Sequence, residues 1–537
     1  MTFEAQRSLL AVCLLAATAL GFAAGTRAEG EAGPVVHTQA GPVEGTLENG
    51  MAVYKGVPFA QPPVGPLRWR APQLPKPWPG VKKGDTYAPA CTQVSRANPA
   101  LGIPAVPTSE DCLYLNIWSP AKSAGDRLPV MVWIYGGGFT GGATSIPLYD
   151  GTNLARKGVL LVSIAYRLGP FGFLADSELT KESGRSSGNY GLLDQIAGLK
   201  WIQRNITAFG GDPHRVTIFG ESAGGISVSM LAASPLANGL FEGAISESGG
   251  SFGSPRSGDE GGVNVPTLEI AERNGAAFLA ALGASTIAEA RKLPAERILK
   301  GPGASTMGGR FWPNFDGYVL PRDQYLLYSA GVQNDTPVLI GTNADEGAIF
   351  PHPRDAASFL KQVRAQYGAS ADKILAAYPA GSDEQAARSA SELMRDTAFA
   401  WNTWTWARLQ SRTGKGRAYV YYFNHRPPYP DVPLFKGVGA THGAELAYVF
   451  GNPAQQNMHF TEGDQAMSEA IMTYWTNFAK RGDPNGGSLP HWQSFTARHP
   501  VVMHFDGTPQ LGAVPNLKQL EALDAYYAWR RSEAHEQ

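Results

Sequence analysis

The sequence contains few charged residues and few cysteines for its length of 537 residues. Charged residues make up 17% of the chain, whereas about 25% is typical of soluble domains. Because 45 Lys and Arg residues are balanced by 46 Asp and Glu residues, the chain lacks the excess positive charge with which proteins bind nucleic acid. No cluster of His, Cys and carboxylate residues has the spacing of metal ligands. The sequence therefore predicts neither nucleic-acid binding nor a metal or other cofactor.

Long hydrophobic runs are also missing, apart from one near the N-terminus. Residues Leu9 to Ala24 are apolar, but this run is shorter than the roughly 20 residues that a membrane span needs. Small residues at Thr26 and Ala28 follow it in the pattern of a cleavage site. We therefore predict a signal peptide over residues 1–28, cleaved after Ala28, and a secreted or periplasmic mature chain without a membrane span. An uncleaved N-terminal anchor is the alternative.

The chain has only three cysteines, and Cys13 lies within the predicted signal peptide. Cys91 and Cys112 remain, which is an even number in a compartment that permits disulfides. Closing the loop between them would contribute roughly 3 kcal/mol in the chain-entropy account. The sequence therefore predicts a disulfide between Cys91 and Cys112, with two free thiols as the alternative.

Hydrophobic residues are plentiful, at 43% of the chain, and they form patterns of buried strands alternating with helices. The continuous apolar runs Leu128 to Tyr135 and Val159 to Tyr166 are typical of strands buried on both faces. Helical spacing over Tyr190 to Ala208 is followed by a short strand, Val216 to Phe219, and then by a run of small residues. This order predicts an α/β fold with a mostly parallel central sheet and helices on both faces. Without internal repeats or a linker, residues 29–537 are predicted to form a single domain.

The segment Gly220-Glu221-Ser222-Ala223-Gly224 has the pattern G-x-S-x-G between a predicted strand and a predicted helix. A sharp strand-to-helix turn exposes its middle residue, and side chains two positions away on either side would collide, so glycine is needed there. This context predicts that Ser222 is a nucleophile. A structural loop serine is the alternative.

A nucleophilic serine needs a base and a carboxylate that orients the base. In the fold typical of this turn the three follow in the order Ser, acid, His. His442 lies in a glycine-flanked loop after the predicted strand Tyr419 to Phe423, which suits the base. Glu346 and Asp345 both follow another predicted strand and are rival candidates for the acid. Gly137 and Gly138, after the strand that ends near Tyr135, suit backbone donors to an oxyanion, with a simple glycine turn as the alternative.

Taken together, these motifs resemble the type-B carboxylesterase family, which includes cholinesterases and bacterial para-nitrobenzyl esterases. The resemblance extends over nearly the whole mature chain and includes six further segments: residues 55–65, 110–118, 166–173, 189–195, 209–213 and 474–480. It implies an α/β-hydrolase fold and a small-molecule ester as substrate. No pattern indicates an oligomeric state.

The resemblance also implies roles for individual residues. It places the nucleophile on Ser222, the base on His442 and the acid on Glu346 rather than Asp345. The implied oxyanion donors are the amides of Gly137, Gly138 and Ala223. The implied disulfide is Cys91–Cys112. Glu221 and Ser248 match residues that flank the triad, and we expect them to form hydrogen bonds around it. The expected activity is hydrolysis of carboxylic esters through an acyl-enzyme. Hydrolysis of a related acyl bond (amide, lactone or carbamate) and a non-catalytic, cholinesterase-like adhesion protein are the alternatives.

The positions of the aromatic residues differ from those in cholinesterases. Cholinesterases carry a tryptophan inside the first disulfide loop, whereas Thr92 to Asp111 contains no aromatic residue. Four aromatic residues cluster instead at Phe399, Trp401, Trp404 and Trp406, where core packing and the wall of a pocket are the competing interpretations.

Overall fold

The computed structural model describes residues 31–536, except Arg96 and residues 258–263. The predicted signal peptide, residues 1–28, lies outside the described residues. Hydrogen-bonded strands form one large sheet and a two-stranded sheet, β5 with β6. The strands are β1 (Glu31–His37), β2 (Pro42–Glu48), β3 (Met51–Pro58), β4 (Lys82–Lys83), β5 (Ala90–Cys91), β6 (Thr108–Ser109), β7 (Tyr114–Ser119), β8 (Leu128–Ile134), β9 (Leu160–Ile164), β10 (Gly211–Glu221), β11 (Gly243–Glu247), β12 (Val338–Asn343), β13 (Ala418–Phe423), β14 (Val501–Phe505) and β15 (Gln510–Ala513).

The α-helices lie between and after these strands. They are α1 (Thr152–Ala155), α2 (Gly169–Phe173), α3 (Ser177–Ser183), α4 (Tyr190–Asn205), α5 (Ala223–Ala233), α6 (Leu268–Ala281), α7 (Ile287–Ala290), α8 (Ala295–Leu299), α9 (Gln324–Ser329), α10 (Ala356–Tyr367), α11 (Ala371–Ala377), α12 (Asp383–Arg395), α13 (Trp401–Thr413), α14 (Leu446–Phe450), α15 (Glu462–Arg481) and α16 (Leu517–Glu536). A π-helical segment, Asp396–Ala400, joins α12 to α13. None of the helices in the described part of the chain has the length and apolar character that crossing a bilayer requires.

The large sheet runs in the order β1-β2-β3-β7-β9-β8-β10-β11-β12-β13-β14-β15, with β4 paired to β2. The pairs from β9 through β8 and on to β14 are parallel, and the pairs at the two edges of this run are antiparallel. The fold class predicted from the sequence is confirmed, with these antiparallel edges added to it. Because parallel strands all end at the same edge of a sheet, the residues that follow β8, β10, β12 and β13 lie close together.

Helices cover both faces of the central strands, as two neighbouring residues of β11 demonstrate. Ser246 Oγ donates a hydrogen bond to Gly225 O of α5, whereas Glu247 Oε1 accepts one from Trp475 Nε1 of α15. Successive side chains of a strand point to opposite faces, so α5 and α15 lie on opposite sides of the sheet. Both sides contribute to one continuous hydrophobic core.

Candidate active site

Ser222 lies at the turn between β10 and α5, in a backbone conformation that is strained for a residue with a side chain. Its φ and ψ are 55° and −123°. A Cβ atom at Gly220 would lie 2.6 Å from the carbonyl carbon of Gly224, and a Cβ atom at Gly224 would overlap the carbonyl oxygen of Ile134. Both glycines of the G-x-S-x-G pattern are therefore required by close backbone approach. The turn leaves Ser222 partly exposed although its neighbours on both sides are buried.

The glycine loop after β8 packs directly on this turn. A Cβ atom at Gly136 would lie 2.9 Å from Ser222 Cβ. Gly137 and Gly138 follow with φ values of 102° and 60°, which a residue with a side chain rarely adopts. Within the described residues, the amides of Gly137, Gly138 and Ala223 donate no hydrogen bond. Three unpaired amide donors thus lie in the two segments that meet at Ser222.

His442 is joined to Glu346 by a short hydrogen bond. His442 Nδ1 lies 2.5 Å from Glu346 Oε2, a carboxylate oxygen that must accept from Nδ1–H. Glu346 is completely buried, and its other oxygen accepts from Ser248 Oγ at 2.5 Å and from the amide of Asn343 at 2.7 Å. Since Nδ1 carries the proton, Nε2 is the ring nitrogen that can take up another one. The arrangement is that of a general base held by a carboxylate.

Asp345, the rival acid, has a different place. Its Oδ2 atom accepts a hydrogen bond from the amide of Gly439 at 2.8 Å, and its own amide donates to Ala440 O at 2.8 Å. Both contacts hold the loop that leads to His442, but neither involves the imidazole. Glu346, and not Asp345, is therefore the carboxylate that is bonded to the histidine.

The second ring nitrogen of His442 contacts Glu221 rather than the serine. His442 Nε2 lies 3.1 Å from Glu221 Oε1, and no hydrogen bond within the described residues joins Ser222 Oγ to His442. The side chain of His442 keeps 12% of its surface exposed, so the imidazole is not completely sealed from solvent. Glu221, adjacent to Ser222 in the chain, thus links the strained turn to the histidine.

The charges around His442 favour its protonated form. Burial opposes the charged ring, but the negative charges of Glu221, Glu346 and Glu445 and the hydrogen bond to Glu346 outweigh this effect and raise the pKa of His442 to about 9. Burial raises the pKa of Glu221 to about 7, although the charge of His442 opposes that shift. Both side chains are charged mainly between these two values, so ion pairing between them is strongest between about pH 7 and about pH 9.

Two further buried glutamates surround this pair and were not identified from the sequence. Burial and the charges of Glu221 and Glu346 raise the pKa of Glu445 to about 8, and burial together with the charge of Glu445 raises the pKa of Glu247 well above its usual range. Glu445 accepts a hydrogen bond from Asn343 Nδ2, and Glu247 accepts one from Trp475 Nε1. The sequence contains only a weak signal for each. Glu247 is a carboxylate at the end of the mostly apolar segment Gly243–Glu247, and Glu445 follows His442 by three residues.

The aromatic cluster predicted around residue 400 divides into two groups. Trp401 and Trp406 are fully buried in the core, and Trp404 lies under the guanidinium group of Arg408, with its ring centroid 4.1 Å away. Phe399 instead stacks on His442, with 4.5 Å between ring centroids and 21° between ring planes. Trp401 and Trp406 are therefore core residues, Trp404 is half-buried beside Arg408, and Phe399 lies against the candidate site.

The remaining predicted features concern the cysteines and metal ligands. A disulfide with an S–S distance of 2.03 Å joins Cys91 to Cys112. Among the described residues, no group of three or more His, Cys, Asp and Glu side chains has the arrangement of a metal site.

Comparison with known proteins shows that this chain is similar to esterases. A model of the carboxylesterase family matches residues 32–523. The fumonisin B1 esterase of Sphingopyxis macrogoltabida is 38% identical over 517 residues, which cover 91% of this chain and 89% of that protein. The para-nitrobenzyl esterase of Bacillus subtilis (strain 168) is 37% identical over 476 residues, covering 86% of this chain and 92% of that protein. A solved structure of a PNB esterase superimposes with a TM-score of 0.78 at 35% identity and covers 91% of this chain and 99% of its own.

Proposed function

Because the chain belongs to the carboxylesterase family and is a carboxylic ester hydrolase, we propose that it cleaves small-molecule esters through an acyl-enzyme formed on Ser222. The observation that carries this proposal is the 2.5 Å hydrogen bond between His442 Nδ1 and Glu346 Oε2, beside the strained turn that presents Ser222. It leaves Nε2 as the basic ring nitrogen, and Ser222 on the turn is partly exposed; a base and a reachable serine are what acyl transfer requires.

In the proposed mechanism, His442 Nε2 takes the proton from Ser222 Oγ as that oxygen attacks the ester carbonyl. The amides of Gly137, Gly138 and Ala223 hold the negatively charged oxygen of the tetrahedral intermediate, for which their freedom from other hydrogen bonds suits them. His442 then protonates the leaving alcohol. A water molecule then attacks the acyl carbon while His442 takes its proton, and the bond to Ser222 Oγ breaks as His442 passes that proton to Oγ, which releases the acid and restores the serine.

Glu221 and Ser248 support this chemistry from either side of the histidine. The carboxylate of Glu221, 3.1 Å from Nε2, stabilises the imidazolium that forms when Ser222 loses its proton. Ser248 donates to Glu346 at 2.5 Å, which holds that carboxylate in position. Both residues thus act through His442 and Glu346 and not on the substrate.

We also propose that the protein is exported and that residues 29–537 form a single catalytic domain. Residues 1–28 have the pattern of a signal peptide that is cleaved after Ala28. The Cys91–Cys112 disulfide supports secretion or a periplasmic location, because structural disulfides persist in oxidising compartments. One uninterrupted family match over residues 32–523 supports a single domain.

The experiment that tests the proposed function compares two acyl bonds. Purified protein is given p-nitrophenyl esters of increasing acyl length and the p-nitroanilide of the preferred acyl group. We expect a much larger kcat/KM for the ester, and labelling of Ser222 by a fluorophosphonate should abolish it. Faster cleavage of the anilide would instead identify an amidase, and the absence of both activities would contradict the proposal.

The pH dependence of this activity should depend on Glu221. The pKa of His442 is raised to about 9, and only the neutral ring acts as a base. The rise of kcat/KM with pH should therefore have its midpoint well above the usual histidine pKa of ~6.5. Glu221→Gln removes a negative charge that favours the charged ring, so the midpoint should move to lower pH. The measurement is kcat/KM for a neutral nitrophenyl ester between pH 5 and 10.

Glu469→Gln, at an exposed ion pair with Lys157, is the matched control and should leave the midpoint unchanged. A wild-type midpoint at or below the usual histidine value, or an unchanged midpoint in Glu221→Gln, would contradict the assigned electrostatics.

Choline esters should receive no preference. A cation held against an aromatic face gains up to roughly thirtyfold in selectivity, but the disulfide loop offers no aromatic residue, Trp401 and Trp406 are buried, and Trp404 is covered by Arg408. We expect kcat/KM for butyrylcholine to be no larger than that for a neutral butyrate ester with a matched leaving group. A tenfold preference for the choline ester would show that another aromatic side chain forms a cation site.

A further inference from the structure

We propose that Phe399 is a positioning residue for the reaction. Its ring supports one face of the His442 imidazole, while the carboxylates of Glu346 and Glu221 contact the two ring nitrogens. This inference rests on the proposed role of His442 as the base. The ring centroids of Phe399 and His442 are 4.5 Å apart and the planes differ by 21°. Phe350 adds a second aromatic contact, with its centroid 5.2 Å from that of His442.

Each contact of the imidazole restricts a different motion. Glu346 fixes Nδ1 and Glu221 lies against Nε2, so the ring cannot turn within its plane. These two in-plane contacts leave the ring free to tilt about the line that joins them. The flat contact with Phe399 opposes that tilt and therefore holds the plane of the ring, in which the lone pair of Nε2 lies.

Phe399 reaches this position because the helix that carries it contains one turn of π-helix, Asp396–Ala400, between α12 and α13. Such a turn holds one extra residue and rotates the following residues about the helix axis, and π-turns occur frequently at functional sites. Asn402 Nδ2 donates to the carbonyl oxygens of Thr397 and Ala398 at 3.1 and 3.2 Å. The side chain of Asn402 thus stabilises the irregular turn.

The π-turn is also fastened to the segment that carries Glu346. Arg395 Nη1 donates to the carbonyl oxygen of Ala344 at 3.1 Å, and a Cβ atom at Gly347 would overlap the carbonyl oxygen of Ser391 in α12. The helix that carries the stacking ring is therefore in direct contact with the segment that carries the carboxylate partner of the histidine. Simple space filling would not require this connection.

Stacking has an electrostatic consequence as well. The face of a phenyl ring attracts a cation, with a selectivity of roughly threefold to thirtyfold. The imidazole becomes a cation when it takes the proton of Ser222. The other charged groups that act on the imidazole are Glu221, Glu346 and Glu445, which come from three separate segments. Arg395 and Asp396, which are close to Phe399 in the chain, form an ion pair with each other. Phe399 should therefore affect the chemical step more than substrate binding.

The test compares Phe399→Leu with Phe399→Tyr, which keeps the aromatic face, and with Trp401→Leu, a buried ring in the same helix that packs on Tyr527 and not on His442. For p-nitrophenyl acetate we expect Phe399→Leu to lower kcat about tenfold, within the range of the aromatic contact, with little change in KM. Phe399→Tyr should restore most of kcat. Trp401→Leu should lower the melting temperature at least as much and leave kcat near the wild-type value.

The same substitution in a His442→Ala background separates the two proposals. If Phe399 acts through the histidine, Phe399→Leu should not reduce the residual rate further. Equal losses in both backgrounds, a loss in Trp401→Leu that matches that of Phe399→Leu, or no rescue by tyrosine would each overturn the positioning role. Near-normal activity of His442→Ala alone would instead contradict the proposed function.

Discussion

Replacing Ser222, the proposed nucleophile, with alanine should lower kcat for a p-nitrophenyl ester by a factor on the order of 10⁴–10⁶, the range found when serine hydrolases lose their nucleophile. The substitution removes the nucleophile but fits the turn, since no hydrogen bond of the Ser222 side chain within the described residues is lost. The loss is expected in kcat rather than in KM, because the amides of Gly137, Gly138 and Ala223 remain in place. Burst kinetics and mass spectrometry should show that the acyl-enzyme no longer forms.

Removing His442 should cost about as much as removing Ser222, and removing both should cost little more. Residues that act as one unit give strongly non-additive losses. Ser229→Ala is a matched control, because Ser229 is buried in α5 and donates only to Ile226 O. A Ser222→Ala protein with near-normal turnover, or additive losses in the double variant, would rule out the proposed nucleophile and base.

Glu346→Gln should lower kcat by roughly 10³–10⁴, the range seen when an acid of this kind loses its charge. Both oxygens of Glu346 accept hydrogen bonds, from His442 Nδ1 on one side and from Ser248 and Asn343 on the other. A glutamine has only one acceptor oxygen, and its amide favours the imidazole tautomer in which Nε2 carries the proton. The base would then be unable to take the proton of Ser222.

Asp345→Asn provides the matched control for this prediction. Its side chain can still accept the hydrogen bond from the amide of Gly439, so the loop before His442 keeps its support. We expect kcat of Asp345→Asn to stay within about tenfold of the wild-type value, because the lost charge does not touch the imidazole. The opposite ranking of the two variants would reassign the acid to Asp345.

Local patterns predicted the parts of the fold that local interactions determine. Continuous apolar runs identified β8 and β9, and the steric demand of the strained turn explains both glycines around Ser222. Strand β11 was missed because it is short and ends in Ser246 and Glu247, two polar residues that are buried only through contacts with distant helices.

The contacts around the histidine could not be predicted from the sequence because they join residues that are far apart in the chain. The sequence left core packing and a pocket wall as rival interpretations of Phe399. Its stacking on His442 depends on the single extra residue of the π-turn, which has no local signature among ordinary helical residues. The contact of Glu221 with His442 Nε2 joins positions that only the completed sheet brings together.

The order of the strands also determines when in folding the enzyme acquires activity. The bond between Glu346 and His442 joins positions 96 residues apart, and the bond between Ser248 and Glu346 joins positions 98 residues apart. Contacts at such separations form slowly, because long loops must close before the contacts can stabilise them. Helices such as α4 and α5 can form early from neighbouring residues, but the oriented histidine exists only after β12 and β13 have paired. Recovery of esterase activity during refolding is therefore a late signal that follows the recovery of helical structure, and it reports the completed sheet.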